Sequence, residues 1–82
     1  MKAIRVETDV EMVKTPGSIW KAPSGVWYCH APGDKGYSGN LAQHEVTEHE
    51  DGTITVSPSI LITNPRDGQW HGFLERGEWR EV

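Results

Sequence analysis

The chain has 82 residues, which is enough for one small domain and too few for a second. Eight basic residues against twelve acidic ones give a net charge of −4, so the composition lacks the basic surface that neutralises nucleic-acid phosphates. The longest apolar run, residues 26–29, is far shorter than the ~20 residues of a membrane-spanning helix. We therefore expect residues 1–82 to form a single domain that binds neither nucleic acid nor a membrane.

Cysteine content and the first residues bear on the cellular compartment. Cys29 is the only cysteine, so no intramolecular disulfide can form, which suits a reducing compartment. Residues 1–7 alternate charged and apolar side chains and lack the continuous apolar stretch of a secretory signal. These features predict a cytoplasmic protein.

Turn residues divide the first half of the chain into short strands. Glycine and proline interrupt every window in which a helical repeat of apolar residues could develop. Residues 2–6 predict a first strand. The Pro-Gly pair within 15–18 predicts a turn, because proline presets its second position and glycine accepts a positive φ. Strands are then expected at 18–21 and 25–29.

Residues 31–40 consist almost entirely of turn formers and solvated residues, which predicts a long loop. Long loops are uncommon in small domains and often contact ligands. Tyr37, at the centre of the loop, is therefore a predicted contact residue. A short helical turn near residues 38–44 is the alternative for the end of this segment.

The clearest strand pattern lies in the second half. Residues 44–49 and 53–57 flank a short glycine-containing loop, which predicts a hairpin. Pro58 cannot donate a ladder hydrogen bond, so we expect the chain to bend there or to follow a sheet edge before residues 59–63 continue extended.

A turn and a second hairpin are predicted for the C-terminal part. Residues 64–68 are rich in turn formers. Residues 69–75 and 78–82 then form a terminal hairpin about Arg76 and Gly77, with the glycine in the left-handed conformation.

About seven short strands separated by turns at intervals of roughly 8–12 residues predict an all-β fold. The architecture is expected to be a small antiparallel sandwich, roll or partly open barrel. The predicted core consists of Ile4, Val6, Ile19, Trp27, Val46, Ile54, Val56, Ile60, Ile62, Leu74 and Trp79.

Histidine and cysteine residues are the candidates for metal binding and nucleophilic chemistry. His44 and His49 are five residues apart, so neither a helix nor a strand directs both at one ion. Strand pairing can still bring Cys29, His44 and His71 together, and such ligands suit zinc. A zinc-stabilised structural domain is therefore one hypothesis. No nucleophile turn accompanies Cys29, so neither enzymatic activity nor an obligatory cofactor is predicted.

Residues 45–51 contain four carboxylates and no lysine or arginine. One interpretation is a solvated hairpin protected from pairing with other sheets. Another is an acidic patch that attracts a basic partner, with Glu48, Glu50 and Asp51 as predicted contacts. Binding of a divalent cation is a third.

Four tryptophans are unusual in a chain of this length. An indole buries roughly 150–250 Å², so a small domain is expected to enclose about two of them. We expect one or two to remain partly exposed, and exposed tryptophan is typical of protein interfaces. Trp20 and Trp70 are therefore predicted to contact a partner protein or a second copy of the chain. A core capped by tryptophans is the alternative.

Three stretches carry a resemblance to a known family. They are Asp51-Gly52-Thr53-Ile54-Thr55-Val56-Ser57-Pro58-Ser59-Ile60-Leu61, then Trp70-His71-Gly72-Phe73-Leu74, then Gly77-Glu78-Trp79. With these stretches the chain resembles, over about residues 25–82, a family of uncharacterised small bacteriophage proteins. The resemblance implies a phage origin in an actinobacterial host and an accessory role, without implying a reaction.

Some members of that family carry cysteine clusters that imply bound zinc. This chain keeps Cys29 and His71 but has Gln69 and Trp70 where the further cysteine would lie.

These observations favour a non-enzymatic accessory protein that binds a host protein in the infected cytoplasm. The predicted contacts are the 31–40 loop and either an exposed tryptophan or the acidic residues. The alternatives are the zinc-stabilised domain and a protein that sequesters a small signalling molecule in a pocket lined by Tyr37 and tryptophans.

Overall fold

The computed structural model describes residues 1–7, 15–33, 38–64 and 68–82, which form two four-stranded β-sheets and no helix. The two sheets pack around one core and do not close into a barrel, so the predicted all-β class is confirmed. The strands are β1 Ile4–Arg5, β2 Ser18–Lys21, β3 Trp27–His30, β4 Ser38–Asn40, β5 Glu45–Glu48, β6 Ile54–Asn64, β7 Gly68–Glu75 and β8 Glu78–Glu81.

The first sheet has the order β1-β2-β3-β4, with β1 parallel to β2 and the other neighbours antiparallel. The residues before β1 also bond to the second sheet. The Trp79 N–H donates to the Met1 carbonyl at 2.8 Å, and the Ala3 N–H donates to the Gly77 carbonyl at 2.7 Å. The N-terminal segment therefore joins β8 of one sheet to β2 of the other.

The second sheet has the antiparallel order β5-β6-β7-β8, and both predicted hairpins are present. In the β5–β6 hairpin, Gly52 has a φ of +87° and its N–H donates to the His49 carbonyl at 3.0 Å. In the β7–β8 hairpin, Gly77 has the predicted left-handed φ, at +77°, and Arg76 also has a positive φ, at +46°. The arginine conformation was not predicted.

The strand ladder is interrupted close to Pro58, as expected for a residue without an N–H. Val56 lies opposite Leu74 and Ile60 lies opposite Gly72, so β6 has two more residues than β7 between these pairs. The chain nevertheless stays extended through Asn64 as one strand. The extra residues form a bulge that contains Ser59.

Most of the predicted core is buried, and its exceptions lie at sheet margins. Ile4 is 45% exposed, so its assignment to the core is wrong; it belongs to a two-residue strand at the margin of its sheet. Val6 and Val46 are only half-buried. Cys29 and Leu41 are fully enclosed core members that the prediction missed. The buried predicted members are Ile19, Trp27, Ile54, Val56, Ile60, Ile62, Leu74 and Trp79.

The predicted loop at 31–40 ends in a strand. Residues 38–40 form β4 and pair with β3, and a turn rather than a helix follows them, so the helical alternative is wrong. Gly39 permits this pairing because a Cβ there would lie 3.1 Å from Ile62 Cδ1. Tyr37 and the interior of the predicted 64–68 turn lie outside the described residues.

All four tryptophans are buried, so the prediction that one or two would be exposed is wrong. Trp70 and Trp79 pack edge to face within the core, with ring centroids 5.5 Å apart. Trp20 lies on the other face of β2 from the core residue Ile19 and stacks on Tyr28 at 5.9 Å. Three indoles, those of Trp27, Trp70 and Trp79, thus share the core between the sheets, whereas Trp20 is buried on the opposite face of the first sheet.

Trp27 is covered in another way. The Arg5 guanidinium lies 5.2 Å from the centre of its ring, and the Lys21 ammonium lies 5.9 Å from it. Long cationic side chains shield apolar surface with their stems while their charged ends stay in water. Trp27 is consequently only 7% exposed.

Candidate functional site

The face of the second sheet that points away from the core carries polar and titratable side chains. Along β6, Ile54 and Val56 are buried in the core, so Thr55 between them points outward. Thr47 of β5 is the cross-strand partner of Thr55. On the same outer face, Phe73 of β7 is the cross-strand partner of Arg80 of β8. Period-two alternation therefore assembles hydroxyl, aromatic and charged groups on this outer face.

A shallow groove of about 460 Å³ crosses the outer face where the two hairpin loops meet. It is lined by Thr47, His49, Thr55, Glu75 and Arg76. The Thr55 hydroxyl lies at its centre, because Thr55 Oγ1 accepts the Arg76 N–H at 3.0 Å and is 2.7 Å from His49 Nε2. The Thr55 side chain thus links the His49 ring of the β5–β6 loop to the backbone of the β7–β8 turn.

The charges in the groove are only partly compensated. Glu75 accepts a hydrogen bond from Arg80 Nη2 at 3.0 Å. Arg80 also lies 5.1 Å from the centre of the Phe73 ring. In contrast, the Arg76 guanidinium forms no ion pair or side-chain hydrogen bond with any residue in the described ranges. Arg76 is therefore an available cation in this groove.

A second, smaller groove of about 200 Å³ adjoins the first. Phe73, Glu75, Glu78 and Arg80 line it, and Glu75 belongs to both grooves. The two grooves together place an aromatic ring beside a strip of hydroxyl and cationic groups.

Arg76 adopts its left-handed conformation at an energetic cost. For a residue with a Cβ this conformation is unfavourable by about 1–2 kcal/mol. Two-residue hairpin turns with a positive φ at both positions favour Asn-Gly, since asparagine tolerates that conformation better than arginine does. Arg76 and Gly77 form such a turn. Strained residues of this kind cluster at functional sites, so Arg76 is a functional candidate.

A second polar cluster surrounds the β6 bulge. His44 Nε2 donates to the Ser59 carbonyl at 3.1 Å, and His71 Nε2 is hydrogen-bonded to the Ser59 hydroxyl at 2.9 Å. Because a carbonyl only accepts, His44 carries its proton on Nε2. His44 Nδ1 is buried and has no hydrogen-bond partner among the described residues.

The structure brings two of the three predicted zinc ligands to one residue, Ser59, but does not add the third. Cys29 is fully buried on β3 of the other sheet, and burial raises the pKa of its thiol to about 12. A neutral thiol is a poor metal ligand and a poor nucleophile. Among residues 1–7, 15–33, 38–64 and 68–82, no three His, Cys, Asp or Glu side chains are arranged to hold a metal ion.

The contact between Ser59 and His71 has the geometry of a nucleophile and its base. Hydrolytic sites of this type orient the histidine with a third group, usually a carboxylate. No carboxylate of the described residues bonds to His71. Within the described ranges, the pair therefore has no partner that would hold the imidazole for proton transfer.

The predicted acidic residues have different roles. Glu48 pairs with Arg5 Nη1 at 3.0 Å. Asp51 accepts hydrogen bonds from the Thr53 hydroxyl at 2.6 Å and the Thr53 N–H at 3.0 Å, and these bonds lower the pKa of Asp51. Glu45 and Glu50 are exposed and have no ion pair within the described part of the chain. Glu48 is thus partly compensated, whereas Glu45 and Glu50 keep free charges.

β5 is an edge strand. It pairs with β6 on one side, and no described strand pairs with it on the other. The His49 N–H donates to the Thr53 carbonyl at 2.8 Å. Because hydrogen-bonded and non-hydrogen-bonded positions alternate, the backbone groups of Val46 and Glu48 point to the open side.

Protein-family models, curated proteins and solved structures provide no match to this chain. The described residues also contain no helix with the length and hydropathy needed to cross a membrane.

Proposed function

We propose that this chain is a non-enzymatic accessory protein that binds a basic segment of a partner protein along the open edge of β5. The observation that carries this proposal is that edge itself: its outward backbone groups pair with no described strand, and the nearby Glu45 and Glu50 have no ion pair with any described residue. An extended peptide can add to such an edge as a further strand, with backbone hydrogen bonds providing affinity.

The charges around β5 favour a basic partner. Glu45 lies on the strand, and Glu50 and Asp51 lie in the loop that follows it. Asp51 stays ionised because the Thr53 bonds stabilise its carboxylate. Like charges deter pairing with a second copy of this edge, whereas lysine or arginine on an incoming strand would be attracted.

The resemblance to small phage proteins supports an accessory role and suggests that the partner is a host protein. Two of the predicted contacts do not support the proposal. Trp20 and Trp70 are buried, and the proposal therefore depends on charge and strand pairing rather than on exposed indoles.

The proposal can be tested by NMR titration of the isotope-labelled protein with a short peptide of alternating lysine and valine. We expect shifts concentrated in the amides of Glu45–Glu48 and reduced by added salt, since exposed charges are screened. Glu45→Gln should weaken binding by roughly two- to fivefold, the usual contribution of one exposed ion pair.

Glu81→Gln is the matched control, because Glu81 is an exposed carboxylate on β8 at the other end of the second sheet. It should leave the affinity unchanged. A peptide with glutamate in place of lysine should not bind. Equal binding of the two peptides, or shifts that avoid β5, would contradict the proposal.

A further inference from the structure

We infer that the groove between the two hairpin loops of the second sheet is a binding site for the phosphate group of a small phosphomonoester, with Arg76 as its cationic contact. This inference is independent of strand addition at β5. It concerns the outer face of the sheet, whereas the partner segment would lie along the edge.

The hydrogen-bonding capacity of Thr55 is the first argument. Its hydroxyl oxygen accepts the Arg76 N–H at 3.0 Å and lies 2.7 Å from His49 Nε2. When His49 donates through Nε2, both lone pairs of the oxygen are occupied and the hydroxyl proton is free. Thr55 and Thr47, paired across the strands, then direct hydroxyl donors into the groove.

The charge balance is the second argument. The two described carboxylates that line the grooves are already paired, Glu75 with Arg80 at 3.0 Å and Glu78 with the N-terminal amino group at 3.6 Å. The Arg76 guanidinium has no counter-ion among the described residues. Arginine suits phosphate because its planar set of donors can form two parallel bonds to the oxygens.

The conformation of Arg76 is the third argument. A φ of +46° is unfavourable for arginine, and asparagine would suit the turn better. The turn geometry therefore does not explain why a cation occupies this position. A ligand contact does explain it, because the left-handed turn places the side chain beside His49 and the threonines.

The size and lining of the grooves indicate the rest of the ligand. About 460 Å³ lies within the range of roughly 300–1,000 Å³ that is usual for small-molecule sites. The adjoining groove offers the half-buried Phe73 ring. A phosphomonoester with an aromatic or apolar group fits this arrangement better than a bare ion does.

Calorimetric and NMR titrations with phenyl phosphate, inorganic phosphate and phenol, all at one ionic strength, test the inference. We expect phenyl phosphate to bind most tightly, inorganic phosphate more weakly and phenol weakest, with shifts at Thr47, His49, Thr55 and Arg76. Arg76→Asn should weaken phenyl phosphate binding about tenfold, as expected for loss of one charge-assisted contact. Because asparagine suits the turn, this variant should remain folded.

Arg76→Lys keeps the charge and should retain part of the affinity. Lys21→Gln removes an exposed cation from the first sheet and should have no effect. Tighter binding of inorganic phosphate than of phenyl phosphate would overturn the assignment to an organic ester. Shifts that sodium chloride reproduces, or unchanged affinity in Arg76→Asn, would overturn the site as a whole.

Discussion

The Thr55 hydroxyl accepts the backbone N–H of Arg76 at 3.0 Å, so a side chain of β6 fixes the turn between β7 and β8. The same oxygen is hydrogen-bonded to His49 Nε2 in the loop between β5 and β6. One threonine therefore connects the two hairpin loops of the second sheet and sets the shape of the groove between them.

Replacing this hydroxyl should loosen both loops. Thr55→Val keeps the shape and β-propensity of the side chain but leaves the Arg76 N–H and the His49 ring without this partner. We expect the free energy of unfolding to fall by about 1–2 kcal/mol, measured by urea denaturation. Thr63→Val, at an exposed position of the same strand, is the matched control. An equal loss in both variants would contradict the role assigned to Thr55.

The strain at Arg76 predicts a substitution that stabilises the protein. Arg76→Asn places the preferred residue pair in the β7–β8 turn and should raise the free energy of unfolding by roughly 0.5–1 kcal/mol. Thermal and urea unfolding would measure the gain. A destabilised Arg76→Asn variant would show that the side chain of Arg76 supports the fold itself.

The hairpins were predictable because their information is local. Glycine at positions 52 and 77 indicates the two turns. The alternation of apolar residues along β6 indicates its buried face. Neither signal depends on a tertiary contact. The Pro58 interruption follows from the missing N–H for the same reason.

The burial of the tryptophans depends on tertiary packing and could not be predicted from local sequence. The prediction assumed one interior, whereas Trp20 and Trp27 point to opposite faces of the first sheet. Neither the number nor the spacing of the tryptophans predicts which face of the sheet each of them occupies. The same applies to β4: its glycine-rich sequence predicts a loop, but the chain there pairs with β3 and places Gly39 close to Ile62 of the second sheet.

Only part of the candidate groove could likewise be predicted from the sequence. The alternating threonines of β6 were visible as an outward face, and Arg76 was placed in a turn. Their junction with His49 arises from the pairing of three strands. The contacts of Ser59 with His44 and His71 also require the bulge, which shifts the register by two residues.

Close packing at two glycines predicts unequal costs for the same substitution. A Cβ at Gly72 would lie 2.5 Å from the Arg80 carbonyl oxygen, which is backbone and cannot move aside. At Gly39 the nearest atom, at 3.1 Å, is the terminal methyl of Ile62. Gly72→Ala should therefore lower the free energy of unfolding by about 3 kcal/mol and Gly39→Ala by about 1 kcal/mol. Denaturant titrations would measure both losses. A larger loss of unfolding free energy in Gly39→Ala than in Gly72→Ala would contradict this account.

Removal of metal should leave the fold intact. Since no three described metal-ligating side chains converge, the melting temperature should be the same with and without a strong chelator. The measurement requires protein purified without a histidine tag. Stoichiometric zinc, or a melting temperature lowered by the chelator, would contradict this prediction and favour the zinc-stabilised domain.

Burial of Cys29 predicts a pH dependence at the alkaline end. Its pKa is about 12 in the folded chain against 9.0 for an ordinary thiol, so the unfolded chain releases this proton first as the pH rises. The contribution of the buried thiol to stability is complete below about pH 9 and is lost between pH 9 and 12, by up to ~1.4 kcal/mol per pH unit.

The loss of unfolding free energy at alkaline pH should be smaller in Cys29→Ala. The free energy of unfolding of both proteins, measured at pH 7 and pH 10, gives this comparison. The variant has a lower starting stability because of the cavity, but that cost is independent of pH. A thiol reagent should leave the folded wild-type protein unmodified at pH 8 and react after unfolding in urea. Rapid labelling of the folded chain, or equal slopes in the two proteins, would show that Cys29 is not enclosed in solution.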